Sequence, residues 1–329
     1  MFFEWLQKKI KKTLFLSVAC YGKLTKPLKE NSKGMFKGLS IYEFRKQFST
    51  TDDCLVYLFE KKWGNGYQCS KCGHNKFHKG RTKWYLRCAK CKYDESVKSN
   101  TLFHKMKLPI LKAFEIMFTL SNRKKGMSTL EIARTFDVNP DTASLLRKKV
   151  QQGMFSSGKN KLSKNVHVDE FAVGGKEKGK QGRSLTSKKV KVILGCEVVK
   201  HKGKNTLGNA YAQVIKNYSA EELLPFFEEK IEKGTKIKTD KWTSYQPISK
   251  LFDIEQIKSE GGVNFKELNT LTMLIKGWLR GIHHHVSKDH MQKYLDEFFF
   301  KFNRKAHPKV SFNKLIENFM NSKPQYLLT

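Results

Sequence analysis

Val166-His167-Val168-Asp169-Glu170-Phe171-Ala172-Val173 alternates apolar and polar side chains, the period of a half-buried strand. Gly174-Gly175 and a basic loop close it. Beyond the loop, the spacing predicts a second strand over Val190–Val199 and a third over Asn209–Ile215, then a helix from Ala220 to about Lys233. Lys236-Ile237-Lys238-Thr239-Asp240 reads as a fourth strand that ends in an acid. A short helix, a strand near Ile254–Ile257 and a helix across Phe265–Leu279 complete the run.

The order β-β-β-α-β-α-β-α is that of the ribonuclease-H-like fold, an α/β architecture with a mixed sheet flanked by helices. In that fold the ends of the first and fourth strands lie side by side, which would bring Asp169 next to Asp240. Paired carboxylates in a basic protein suit hard divalent cations such as Mg2+. Two such ions activate a water or a 3′-hydroxyl and stabilise the leaving oxygen of a phosphodiester. A strand-ending Asp is also an ordinary turn former or helix cap, so Asp240 alone leaves both roles open. Glu170 should face the opposite side of the sheet from Asp169. His167 shares the face of Asp169, and packing or a hydrogen bond outweighs a ligand role for it.

The charge balance narrows the partners. The 329 residues hold 64 Lys and Arg against 30 Asp and Glu, a net charge of +34, with 39% hydrophobic and 29% charged residues. That composition excludes a membrane bundle and a disordered chain. So basic a surface is best explained by a polyanionic partner, DNA above all, because each neutralised phosphate releases counterions. The stretch Lys176–Lys191 carries six lysines and Arg183. It is either a solvated loop or one that grips phosphates, with Lys176 and Arg183 as candidate contacts.

Four of the seven cysteines form C-x2-C-x15-C-x2-C at Cys69, Cys72, Cys88 and Cys91. Each pair can present two sulfurs from one turn, and the interval suits a β-hairpin that brings the pairs together. A closed four-thiolate site is a structural Zn2+ site. His74 and His78 read as surface residues. Lys76, Lys79, Arg81, Lys83 and Arg87 around Trp84 and Tyr85 make either a DNA-contacting face or a solvated rim. Cys20, Cys54 and Cys196 are scattered, so no disulfide framework is expected, which points to a reducing, cytoplasmic compartment.

Between ribbon and core, Ser128–Phe136 and Pro140–Val150 read as two helices broken at Asp137-Val138-Asn139. Ser128 caps the first, with Glu131 completing a capping box. Asn139 caps the second, with Pro140 at its first position. Small Ala133 allows a close crossing and Val138 plugs the turn. This is a helix-turn-helix pattern, whose second helix enters the major groove. Asp141, Thr142 and Ser144 are the candidate base readers, and Arg147, Lys148 and Lys149 the candidate phosphate contacts.

The chain thus divides into a weakly structured extension (1–34), a helical lead-in and zinc ribbon (35–107), a helix-turn-helix region (108–160) and a catalytic core (161–329). Thr13–Cys20 is too short an apolar run for a convincing signal segment, and translation starting at Met35 would account for the extension. No later stretch approaches the roughly 20 apolar residues of a membrane span.

From about Met35 to Arg304 the chain resembles the ISXO-like insertion-sequence transposases. The resemblance is carried by the ribbon cysteines, Val168-Asp169-Glu170-Phe171 with Gly174-Gly175-Lys176, and Lys238-Thr239-Asp240. Leu279-Arg280-Gly281-Ile282-His283-His284-His285-Val286-Ser287, Tyr294-Leu295-Asp296-Glu297-Phe298 and Phe302-Asn303-Arg304 add to it. It implies a DDE-type transposase with Asp169 and Asp240 as catalytic acids, Asn269 at the third metal-ligand position and Lys276 as a DNA-backbone contact. Lys276 lies seven residues on from Asn269, nearly two helical turns, hence on the same face. Glu267 points roughly 200° away from Asn269. An amide at position 269 leaves the site one negative charge short. The resemblance further implies Mg2+ or Mn2+, double-stranded DNA (terminal repeats and target) as partner, and a homo-oligomer. The alternative readings are a DNA-binding regulator descended from a decayed transposase, and a nuclease that cuts without joining.

Overall fold

The computed structural model describes residues 40–155, 160–175, 189–282, 287–307 and 309–323. The expected extension at 1–34, Met35, Lys176, Arg183 and His283–His285 lie outside the described residues.

The helical lead-in is two helices, α1 (Ile41–Gln47) and α2 (Thr51–Trp63). Each begins with a reciprocal capping box, Ser40 with Glu43 and Thr50 with Asp53, which satisfies the otherwise orphaned first N–H groups. The ribbon follows as an antiparallel sheet of β1 (Phe77–Lys79), β2 (Tyr85–Cys88) and β3 (Asp94–Ser96). The expected hairpin is therefore extended by a third strand. Next come α3 (Ile110–Asn122), α4 (Thr129–Phe136) and α5 (Pro140–Gly153).

The core sheet contains β4 (Val166–Val173), β5 (Val190–His201) and β6 (Lys204–Ile215). After α6 (Ala220–Lys230) come β7 (Ile237–Thr239), α7 (Tyr245–Ile248) and β8 (Ile254–Gln256). The strand order is β6-β5-β4-β7-β8, antiparallel across the first three and parallel across the last two, the ribonuclease-H-like topology. A 3-10 turn leads into α8 (Lys266–Ile282), and α9 (Met291–Phe302) and α10 (Lys309–Asn321) are the last described helices. The alternation of β4 sorts its side chains. Val166 and Val168 join Phe226, Phe227 and Tyr245 under α6 and α7, while Phe171 joins Leu268, Leu271 and Ile275 under α8.

Two features depart from the sequence reading. The third strand starts at Lys204 rather than Asn209, because Lys202-Gly203 forms a two-residue turn with positive φ at both positions (48° and 76°). Its polar sequence carries no apolar alternation to betray it. The C-terminal helix α10 also leaves the catalytic core. Phe312, Leu315, Ile316 and Phe319 pack among Phe44, Phe103, Phe114 and Phe118, and Tyr57 donates a buried hydrogen bond to Asn313. An amphipathic helix at the chain's end goes wherever an apolar face awaits it, which sequence order does not dictate.

Candidate functional site

The parallel pairing of β4 with β7 sets Val166 against Ile237 and His167 against Lys238. Continued two residues further, this register would bring Asp240 beside Asp169, and the charges of both reach the Tyr245 phenol. Each acid has one carboxylate oxygen oriented by a main-chain N–H: Glu170 N donates to Asp169 Oδ1 (2.8 Å), and Trp242 N to Asp240 Oδ1 (3.1 Å). Asp240 is therefore a turn former as well as a candidate ligand. The Gln256 side chain from β8 donates to the carbonyls of Asp240 (3.3 Å) and Trp242 (2.9 Å), pinning the turn.

Beneath the acids, on the α7 side, buried Tyr245 donates its hydroxyl to Glu170. Glu170 thus faces away from Asp169, as strand alternation requires. Burial drives the Tyr245 phenol well above its ordinary pKa, and the charges of Glu170, Asp169 and Asp240 push it further. One phenol lies within electrostatic reach of all three carboxylates, a cluster the sequence did not reveal because Tyr245 belongs to no ligand pattern.

On the other face α8 packs against β4. The Asn269 Nδ2 donates to Gly262 O (3.1 Å), so Oδ1 is the amide atom with lone pairs to offer a cation. Gly262 is required there: its φ is +92°, and a Cβ would come within 2.4 Å of Asn269 Nδ2. The Lys276 ammonium lies 5.5 Å from the centroid of Phe171, two residues along β4 from Asp169. Burial lowers the Lys276 pKa, and the neighbouring Lys189 charge adds to the effect. Glu267 sits on the opposite flank of α8, where its charge partly offsets the burial that depresses the His167 pKa. His167 itself is buried with its ring edge against Phe265, as a packed histidine. Asp169, Asp240 and Asn269 each offer a hard oxygen, the donor type that suits a divalent cation.

Among the described residues, the four ribbon cysteines are the one cluster of three or more His, Cys, Asp or Glu donors close enough for a shared ion. Their sulfurs all lie within 4.8 Å of one another, with Cys69–Cys91 and Cys72–Cys88 at 3.6 Å. Tetrahedral zinc with bonds of about 2.3 Å needs edges of about 3.8 Å, so the set fits Zn2+. Both knuckles close alike: Gly73 N donates to Cys69 O (2.9 Å) and Lys92 N to Cys88 O (3.1 Å), each donor in the left-handed region. Half-buried Lys62 joins ribbon to α2 through buried Glu95 (2.8 Å) and the carbonyls of Ser96 and Ser99. On the ribbon face, Arg81 stacks on Tyr85, Lys83 pairs with Asp52, and Arg87 pairs with Asp94. His74 and His78 stand outside the cysteine cluster.

In the helix-turn-helix, the Ser128 hydroxyl accepts from Glu131 N (3.1 Å) and Asn139 Oδ1 from Asp141 N (2.8 Å). Only half of the expected capping box forms, because the Glu131 carboxylate turns to Arg123 (2.7 Å). Asp141 and Lys148 are exposed, and Thr142 and Ser144 are partly so. Two expected phosphate contacts have partners within the protein. Arg147 is buried, its guanidinium 3.6 Å from Glu297, and Lys149 donates to the carbonyls of Leu102 and His104. Leu145, which drew no notice in the sequence, is exposed on the outward face between Asp141 and Lys148. No described helix is long and apolar enough to cross a membrane.

No curated protein matches the chain. Residues 49–94 match the transposase zinc-ribbon domain, and residues 161–303 match the ISXO2-like transposase domain. Ribbon and core are thus each similar to a domain of the ISXO2-like transposases, in keeping with the four-sulfur cluster and the strand order of β4 to β8.

Proposed function

We propose that this protein is an insertion-sequence transposase that binds the ends of its element and performs metal-dependent cleavage and strand transfer of double-stranded DNA. The observation that carries the reading is the parallel β4–β7 pairing, which runs toward Asp169 and Asp240, both within electrostatic reach of Tyr245, on a chain of net charge +34. Asp169, Asp240 and the Asn269 amide oxygen hold the divalent cations, Mg2+ or Mn2+. When bound, such cations activate a water or 3′-hydroxyl and offset the charge developing on the leaving oxygen. The main-chain N–H groups on Asp169 and Asp240 orient the two carboxylates before any cation arrives. Lys276 holds a backbone phosphate from the flank of α8. Asp141, Thr142 and Ser144 read base edges, Lys148 contacts phosphate, and Lys176 and Arg183 grip phosphates nearer the cut. No side chain is called upon as a nucleophile. Joining two ends requires a dimer or larger assembly working in the cytoplasm.

The amide at Asn269, bonded to Gly262, favours a second reading in which the core has lost catalysis and the chain is a DNA-binding regulator. One assay decides between them. Purified protein and its Asp240→Ala variant are incubated with labelled duplexes covering the DNA on either side of the coding sequence, with Mg2+ or Mn2+. Cut and joined products from the parent alone establish the transposase. Specific binding by both proteins with no product from either establishes the regulator.

A further inference from the structure

Arg147 opens onto a buried charge cluster between the helix-turn-helix and α9. Glu297 on α9 is 2% exposed, yet its carboxylate stands between two cations, Lys301 of its own helix and Arg147 of α5. Burial opposes that charge, but Lys301 and Arg147 bring its pKa down to about 2. Lys301 Nζ reaches Glu297 Oε1 at 2.7 Å, Gln151 Nε2 reaches Oε2 at 3.1 Å, and Arg147 Nη2 approaches Oε2 at 3.6 Å. The Arg147 guanidinium also lies 5.6 Å from the centroid of Tyr294. A third segment closes the site: a Cβ on Gly126, in the loop before α4, would sit 3.2 Å from both Glu297 Oε1 and Lys301 Nζ.

The cluster leads in both directions. Arg147 and Gln151 belong to α5, the second helix of the helix-turn-helix. On the other side Lys301 Nζ is 5.9 Å from the Trp278 ring, and Trp278 packs on Phe298 at 5.7 Å. Trp278 is on α8, two residues beyond Lys276. Apolar residues at these positions would bury as well and would be as stable. What ions and directed hydrogen bonds add is a single relative orientation of the helices that carry them.

We infer that Glu297 is a positioning residue, the fixed point that sets α5 against α8 and so sets the distance from the bound DNA sequence to the phosphate that is cut. The inference rests on the reading of the chain as a DNA-cleaving transposase. Bound DNA is then measured by the protein as a ruler: bases at α5, the scissile phosphate at Asp169 and Asp240, and Glu297 between.

The test uses the full-length, zinc-loaded protein and a triple variant, Arg147→Met, Glu297→Leu and Lys301→Met, in which an apolar cluster replaces the ionic one. Glu297→Gln, which leaves Arg147 and Lys301 without their counter-charge, is run beside it. Thermal unfolding and DNA affinity are measured first, then cut positions are mapped to the nucleotide on duplexes covering both flanks of the coding sequence. The expected result is a triple variant that unfolds within a few degrees of the parent and binds within about threefold. Its cuts spread over neighbouring phosphates, and the main product falls at least tenfold. A folded triple variant that cuts the parental phosphate with parental yield overturns the ruler and leaves the transposase reading intact. A parent that binds and never cuts overturns both.

Discussion

Asn303 gives both ends of its carboxamide to one residue, Ala210. The Ala210 N–H donates to Asn303 Oδ1 and the Asn303 Nδ2 donates to Ala210 O, both at 2.9 Å. Ala210 lies on β6, the edge strand of the five-stranded sheet. Gln292, at the other end of α9, repeats the device with Val214 N (2.9 Å) and Ala212 O (3.1 Å). Two side-chain amides therefore stand in for a missing sixth strand and blunt an edge that would otherwise invite pairing with another chain.

Replacing Asn303 by Ala should strand an N–H and a carbonyl on a fully buried residue. The expected loss is about 1–3 kcal/mol. Urea unfolding of parent and variant checks it, and unchanged stability would show that water or a shifted α9 satisfies the pair equally well.

The fold was legible where periodicity is strong. Val166–Val173 announced β4, the cysteine spacing announced the ribbon, and Asn139-Pro140 announced the start of α5. What escaped depends on partners distant in sequence. Arg147 looks like a phosphate contact in its basic run, and only the fold brings Glu297 across to bury it. Asn303 carried the family resemblance, yet nothing in the chain said that its partner is a strand edge 93 residues earlier. Tyr245 is a single aromatic in a short helix until β4 and β7 converge above it. Local signals write elements into a sequence, whereas long-range electrostatics is written only in the assembled fold.

The ribbon should carry one zinc per chain, measured by elemental analysis of the purified protein. Serine at Cys88, which is buried, should empty the site, and acid should release the metal because the thiolates must stay deprotonated. Full zinc content in Cys88→Ser would mean that another donor completes the tetrahedron.

Asp296 offers a test with a defined sign. Burial raises its carboxyl from 3.8 to about 6, against the opposing pull of Gln292 and Lys230. The folded state thus holds this proton more tightly than the unfolded chain. Its contribution to stability is greatest below 3.8, declines as pH rises to about 6, and stays low above that. Asp296→Asn should therefore stabilise the protein by up to about 3 kcal/mol at pH 7.5 and by almost nothing at pH 3.5. Comparing urea midpoints of parent and variant at both pH values checks this, and an equal gain at both would assign the effect to packing instead.

Lys148 and Arg147 are adjacent basic residues with opposite expected phenotypes. Lys148 is exposed on the outward face of α5, so Lys148→Ala should weaken DNA binding across all sequences. The slope of log K against log salt should shrink by about 1, because one phosphate contact and its released counterion are lost. Arg147→Ala removes a buried partner of Glu297, and its cost should appear as lost stability of about 1–3 kcal/mol with the salt slope unchanged. Fluorescence anisotropy across a salt series, beside urea unfolding, separates the two. If Arg147→Ala lowered the salt slope as Lys148→Ala does, Arg147 would have to leave Glu297 and reach the phosphates when DNA binds, and α5 would then be released from the catalytic core at the moment of recognition.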